Sequence, residues 1–160
     1  MERIVMFLKK YKTQIGWVVI TLLAGGIGAL LSGGFGIYKA LQKPPLSPPS
    51  FIFPIVWTLL YILIGIAAGN IAVSRDLDKG SALKLYIVQL LINILWPVIF
   101  FRFEALKFAC FWLVLLIVAV LLTYRSFRNI DKKAALALLP YIAWTLFAFY
   151  LNFGIVALNS

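Results

Sequence analysis

The stretch FACFWLVLLIVAVLLTY, residues 108–124, contains 17 consecutive uncharged residues and lies between Lys107 and Arg125. A helix needs about 20 apolar residues to cross the hydrocarbon core of a bilayer, with a range of about 17–25. Strands of a membrane barrel would alternate apolar and polar side chains, and residues 108–122 show no such alternation. The stretch therefore predicts a transmembrane helix whose two flanking cations reach the membrane surface.

Four more uncharged runs surround this one, and together they account for most of the chain. The chain of 160 residues is 64% apolar and 12% charged, whereas soluble domains are roughly 45–50% apolar and about 25% charged. This composition excludes a water-soluble globule. The sequence predicts an all-α integral membrane protein, a single domain over residues 1–160 that forms a five-transmembrane-helix bundle. We expect helices at about 14–38, 50–73, 83–101, 106–125 and 134–158, with a proline-rich first loop at 42–50.

The distribution of Lys and Arg predicts the orientation, because cytoplasmic loops are enriched in these residues. Most of them lie on the side of the predicted bundle that holds the N-terminus: Arg3, Lys9, Lys10, Lys12, Arg75, Lys79, Lys84, Arg125, Arg128, Lys132 and Lys133. The other side holds Lys39, Lys43, Arg102 and Lys107. We therefore expect a cytoplasmic N-terminus and a C-terminus outside. The net charge of +10 is scattered over short loops, so we expect no nucleic-acid partner.

Several kinds of chemistry are disfavoured by residue type alone. The chain has no histidine and one cysteine, Cys110, which excludes imidazole catalysis, thiolate clusters and internal disulfides. All five acidic residues lie outside the apolar runs. Ion-coupled transporters place ionisable groups inside the membrane, so we do not expect proton-driven transport. We expect no catalytic residue, no metal and no cofactor.

Aromatic and amide side chains recur at helical spacing inside the apolar runs. Three predicted helices carry such faces: Trp57 and Tyr61; Asn93, Trp96, Pro97 and Phe100; and Trp144, Phe147, Ala148, Leu151 and Asn152. These faces either pack helix against helix or line a pocket. Trp57 and Trp144 lie deep in their runs, where an indole N–H needs a partner. A pocket with aromatic walls and a few polar groups would meet that need.

The first predicted helix has small residues at every fourth position. One row is Ala24, Gly28, Ser32 and Gly36, and the row beside it is Gly25, Ala29 and Gly33. Small residues allow helix backbones to approach closely in lipid. The rows predict a close contact, either within the chain or with a second copy.

The first loop contains four prolines within KPPLSPPS, residues 43–50. Proline fixes φ, so this connection is predicted to be semi-rigid and able to cover the mouth of the bundle. The alternative is a ligand for a proline-binding domain.

Three blocks of sequence occur in order along the chain. They are KPPLSPP at 43–49 with FPIVWTLLY at 53–61 and Gly65, then LINILWPVIFF at 91–101, then LPYIAWTLFAFYLN at 139–152. Together these blocks resemble the signatures of the TspO/translocator protein family, formerly called the peripheral-type benzodiazepine receptors. The resemblance extends over essentially the whole chain.

The resemblance implies a five-helix bundle, often a homodimer, with a pocket open toward the first loop. In this family the pocket binds porphyrins such as protoporphyrin IX and, in some members, sterols and drugs. Position by position, it implies a ligand-binding site lined by Tyr38, Pro48, Trp57, Tyr61, Asn93, Trp96, Phe100, Trp144 and Ala148. A dimer contact would use helix 1 or helix 3.

The chain departs from the family pattern in two places. Leu46 occupies a first-loop position that is usually Trp, so the loop is not expected to stack on a ligand. Phe153 and Ala157 stand where animal members have the Tyr and the basic residue of a cholesterol-binding stretch. Together with the absence of an organelle signal, this favours a bacterial plasma membrane.

The leading functional hypothesis is a receptor or transporter-like protein that binds porphyrin or another flat hydrophobic molecule and acts in tetrapyrrole homeostasis or stress signalling. One alternative is an enzyme-like, light-dependent degradation of bound porphyrin, in which the chromophore supplies the chemistry. The other is a structural or lipid-handling protein that contacts membrane lipid and has no specific ligand.

Overall fold

A computed structural model describes all 160 residues, and it is helical throughout apart from short connections. Five helical segments are long and apolar enough to cross a membrane, which confirms the predicted all-α bundle. In chain order these five spans are Glu2–Ser32, Ile52–Val73, Lys79–Arg102, Leu106–Ile130 and Lys132–Asn159. A short helix, Gly36–Ala40, lies between the first and second spans.

The first span differs from the predicted helix at both ends. It begins at Glu2, not near residue 14, because Lys and Arg mark where the membrane ends and do not end a helix. It ends at Ser32, not near residue 38, because Gly33 and Gly34 adopt φ values of 76° and 97°. Glycine enters this left-handed region without steric cost, which lets the chain leave the helix axis there.

The third and fifth spans are interrupted helices. In the third, the α-helix Lys79–Pro97 continues as a π-helical turn, Val98–Arg102, in which the Phe103 N–H donates to the Val98 carbonyl at 3.1 Å. Pro97 lacks an N–H, which loosens the α-helical pattern at this point. In the fifth, a first piece, Lys132–Ala137, is separated at Leu138 from the longer Leu139–Asn159.

The spans form a closed ring. The first span packs against the second and third, the third against the fourth, and the fourth against the fifth. The short piece Lys132–Ala137 closes the ring by packing against the second span. The longer piece of the fifth span, Leu139–Asn159, hardly touches the second span. The bundle is therefore tight at the end that holds the N-terminus, and the second and fifth spans separate toward the first loop.

Two glycines hold the first and second spans together at the tight end. A Cβ at Gly65 would lie 2.7 Å from Val18 Cα, and one at Gly69 would lie 2.6 Å from Gln14 Cα. Gly28 makes a similar approach between the first and third spans, where a Cβ would lie 2.9 Å from the Ile94 carbonyl oxygen. These contacts place part of the small-residue surface inside the chain, since Gly25, Gly28 and Ser32 are buried.

The Gly65→Ala substitution should lower the melting temperature of the detergent-solubilised protein. The new methyl group meets the backbone of the first span, and such overpacking typically costs about 1–3 kcal/mol. Gly16→Ala is the matched control, because nothing lies within 4 Å of a Cβ at that position. Equal melting temperatures for the two variants would contradict this account of the contact.

Candidate ligand-binding site

A small cavity, the closed chamber, lies between the second, third and fifth spans beneath the first loop. Six of the nine residues that the sequence assigns to a ligand site line it: Tyr38, Trp57, Trp96, Phe100, Trp144 and Ala148. The remaining lining residues are Phe53, Phe101, Leu151, Asn152 and Ile155. The free volume is about 20 Å³, because aromatic rings fill the space where the spans separate. The chamber is thus assembled but closed.

A larger cavity, the side chamber, lies between the first, second and third spans and has a volume of about 220 Å³. Tyr61 and Asn93, which the sequence assigned to the same site as Trp144, line this cavity and not the closed chamber. The first span contributes Leu22, Gly25, Gly26, Ala29 and Ser32 to its wall. The predicted site therefore divides into two adjacent spaces.

A partition of four aromatic residues separates the two chambers. Phe53, Trp57, Trp96 and Phe101 line both of them. The Trp57 ring packs against Tyr61 at a centroid distance of 5.5 Å, and Phe53 packs edge-on against Trp144 at 6.2 Å. Because the partition consists of side chains, rotation of its rings changes how the volume is shared between the chambers.

A chain of buried hydrogen bonds connects four polar side chains across the bundle. The Tyr61 hydroxyl donates to Asn93 Oδ1, Asn93 Nδ2 donates to the Tyr141 hydroxyl, and that hydroxyl donates to Gln89 Oε1, each at 2.7 Å. Asn93 and Tyr61 thus satisfy one another, as buried polar groups in a membrane must. Their first role in this structure is to hold the second, third and fifth spans in register.

Tyr141 and Gln89 belong to this chain, yet sequence analysis did not select them. Gln89 is completely buried and its Nε2 has no partner. Tyr141 lies three residues before Trp144, and Gln89 lies four residues before Asn93, so each shares a helix face with a selected residue. Helical spacing could therefore have identified them. From the sequence alone, however, a single polar residue does not reveal which side chain it will bond to.

The indole N–H groups of three tryptophans inside the bundle divide into paired and unpaired donors. Trp96 Nε1 donates to Asn152 Oδ1 at 3.2 Å, and Trp112 Nε1 donates to the Ile92 carbonyl at 2.8 Å. Trp144 Nε1 is buried without any acceptor, on a side chain that lines the closed chamber. An unpaired buried donor costs about 1–3 kcal/mol. Trp144 therefore carries an unsatisfied donor beside the closed chamber.

The first loop is bonded to Tyr38 of the closed chamber and is fixed to the fifth span. The Tyr150 hydroxyl donates to the Pro45 carbonyl at 2.9 Å. The Asn159 side chain accepts from the Gln42 N–H and donates to the Gln42 carbonyl, at 3.0 and 2.8 Å. Gly154 leaves space for the Pro44 ring, which lies 2.6 Å from the position of its missing Cβ. These contacts make the loop a lid.

Tyr38 and Pro48 join the lid to the chamber wall. The Tyr38 hydroxyl donates to the Pro48 carbonyl at 2.7 Å, and burial raises the pKa of that hydroxyl. Pro48 thus acts through its carbonyl and does not line either chamber. Leu46 is 83% exposed and adopts φ 67°, so its side chain points away from the chamber.

Comparison with known proteins matches most of this chain to members of one family. The family model described as TspO/MBR matches residues 16–158. Tryptophan-rich protein TspO of Chlorobaculum tepidum is 34% identical over 153 residues, which cover 88% of this chain and 97% of that protein. Protein CrtK of Rhodobacter capsulatus is 36% identical over 145 residues, which cover 89% and 90%. The translocator protein of Bos taurus is 33% identical over 146 residues, which cover 87% and 85%.

These matches run from the first span to the fifth, and they include every helix that lines the two chambers. They confirm the resemblance carried by the three sequence blocks. The chain is an integral membrane protein that belongs to the TspO/MBR family.

Proposed function

We propose that this protein is a membrane receptor or transporter-like protein that binds porphyrins, such as protoporphyrin IX, in the closed chamber. The proposal rests on Trp144, whose indole N–H is unpaired and whose side chain lines a chamber walled by aromatic rings. A flat, polarisable macrocycle gains from stacking on such rings. Its pyrrole nitrogens or carboxylate oxygens supply acceptors for the free N–H.

A cation lies beside the chamber wall, where the carboxylates of a porphyrin would emerge. Lys43 Nζ lies 4.9 Å from the centre of the Tyr38 ring and donates to the Tyr38 and Leu41 carbonyls, both at 2.8 Å. Both acceptors are neutral, so the charge of Lys43 is available to an anion at the mouth. This arrangement suits an apolar ligand with acidic substituents.

Binding requires the closed chamber to expand, since about 20 Å³ does not hold a macrocycle. The side chamber supplies space into which the Trp57 ring can turn. Trp57 lies in the wall between the two cavities, so turning its ring would join them. On this proposal, binding rearranges the aromatic side chains of the partition while the lid stays attached to the fifth span.

The Trp144→Phe substitution should weaken binding of protoporphyrin IX by about tenfold, which is the loss of one hydrogen bond of about 1.4 kcal/mol while an aromatic ring is kept. The measurement is a titration in the dark, followed by the porphyrin absorption band, so that binding is separated from photochemical loss of the ligand. Trp17→Phe is the control, because Trp17 packs on Tyr86 and lines neither chamber. A linear titration with no saturation would favour the structural or lipid-handling alternative.

We also propose that the N-terminus and the tight end of the bundle face the cytoplasm. Eleven of the fifteen Lys and Arg residues lie at that end. The lid and the mouth of the closed chamber then face the outer side of the membrane.

Two single-cysteine variants in a Cys110→Ser background test this orientation. Ser160→Cys places a thiol at the C-terminus, and Leu77→Cys places one in the loop after the second span, where the side chain is 98% exposed. In intact bacterial cells, a membrane-impermeant maleimide should label the first variant and leave the second unlabelled until the cells are opened. The reverse pattern would invert the proposed topology.

A further inference from the structure

The side chamber opens on the outer surface of the bundle. Its rim includes Gly26 and Ala29 of the first span and Pro54 and Thr58 of the second, all of which are exposed. All four residues lie inside membrane-spanning helices. The opening therefore faces the hydrocarbon of the bilayer and not water.

The gap between these two spans follows from their sequence. They are held together at Gly65 and Gly69, near the tight end, and the side chamber lies between them on the lid side of these contacts. Along the gap the first span presents Gly25, Gly26 and Ala29, which have no side chain large enough to fill it. The Tyr61 ring occupies the space above Gly25, where a Cβ would collide with the ring edge. The inner wall is thus aromatic while the rim remains open.

The walls of the gap suit an apolar ligand. The Thr58 hydroxyl donates to the Pro54 carbonyl and the Ser32 hydroxyl donates to the Ala29 carbonyl, both at 2.7 Å. Neither of these two hydroxyls is left unpaired, so an apolar molecule in the gap would not strand them. By contrast, the lid side is closed by the hydrogen bonds of Tyr150 and Asn159 and by the contact between Pro44 and Gly154.

We propose that hydrophobic ligands enter laterally from the bilayer, between the first and second spans, and reach the closed chamber past Trp57. The identity of the ligand rests on the proposed function, whereas the lipid-facing opening does not. The side chamber is then an antechamber for molecules already dissolved in the membrane. The lid stays in place while they pass.

The first experiment tests the opening without porphyrin. The protein is placed in vesicles of phosphatidylcholine brominated on its acyl chains, which quenches tryptophan fluorescence on contact. The Trp57 contribution is the part of the quenching that Trp57→Phe removes. It should be present in the unmodified protein and in Gly16→Leu, and it should be lost in Gly26→Leu. A Cβ at either glycine meets nothing within 4 Å, so both variants should fold, which circular dichroism checks.

The second experiment tests passage of the ligand. Rapid mixing of protoporphyrin IX with the protein in phosphatidylcholine vesicles should show association and dissociation both slowed several-fold by Gly26→Leu. Gly16→Leu should change neither rate. Asn159→Ala, which removes two of the hydrogen bonds that attach the lid to the fifth span, should also leave association unchanged.

The outcomes separate the two proposals. Absence of a Trp57 contribution to the quenching, or association that Gly26→Leu leaves unchanged, would overturn lateral access. Faster association in Asn159→Ala would also overturn it and would place the route beneath the lid. Quenching of Trp57 by the brominated lipid together with no saturable porphyrin binding would keep the opening and reject the proposed function.

Discussion

The close approach of the first and second spans is the contact on which the rest of this structure depends. In lipid, helices gain nothing from hiding apolar surface, so they associate through backbone proximity and hydrogen bonds. Gly65 and Gly69 provide that proximity at the end that holds the N-terminus. Because the spans are joined there, they diverge at the other end. The side chamber lies in the diverging part, so the same contact that stabilises the bundle also determines where this cavity is.

The hydrogen-bonded chain from Tyr61 to Gln89 is the second support. It joins the second, third and fifth spans through three bonds of 2.7 Å. A residue such as Asn93, selected as a ligand contact by resemblance, has a structural task in the unliganded protein. Asn93 also lines the side chamber together with Tyr61, so a change at Asn93 would alter both the register of the spans and that wall. Trp144 differs, because its indole N–H has no such task.

The number of spans could be predicted from the sequence. Charged side chains are costly inside a bilayer, so each long uncharged run marks one spanning helix. Their ends could not, since Lys9 and Lys12 are acceptable in a helix outside the membrane and Gly33 ends one inside an apolar run. Helical spacing identified the faces that carry Trp96 and Trp144. It did not identify the side chamber, because a cavity wall made of Gly25 and Gly26 carries no chemical group for a sequence pattern to detect.

The π-helical turn Val98–Arg102 also constrains how this chain can change over evolution. A π turn holds one more residue than an α turn, so it is equivalent to an insertion that the helix has absorbed. Phe100 and Phe101 are both buried because the widened turn brings neighbouring positions inward. Deleting one residue here would restore a regular helix and rotate one of the two rings toward lipid. A change in the length of this turn would therefore rebuild the chamber walls that Phe100 and Phe101 form.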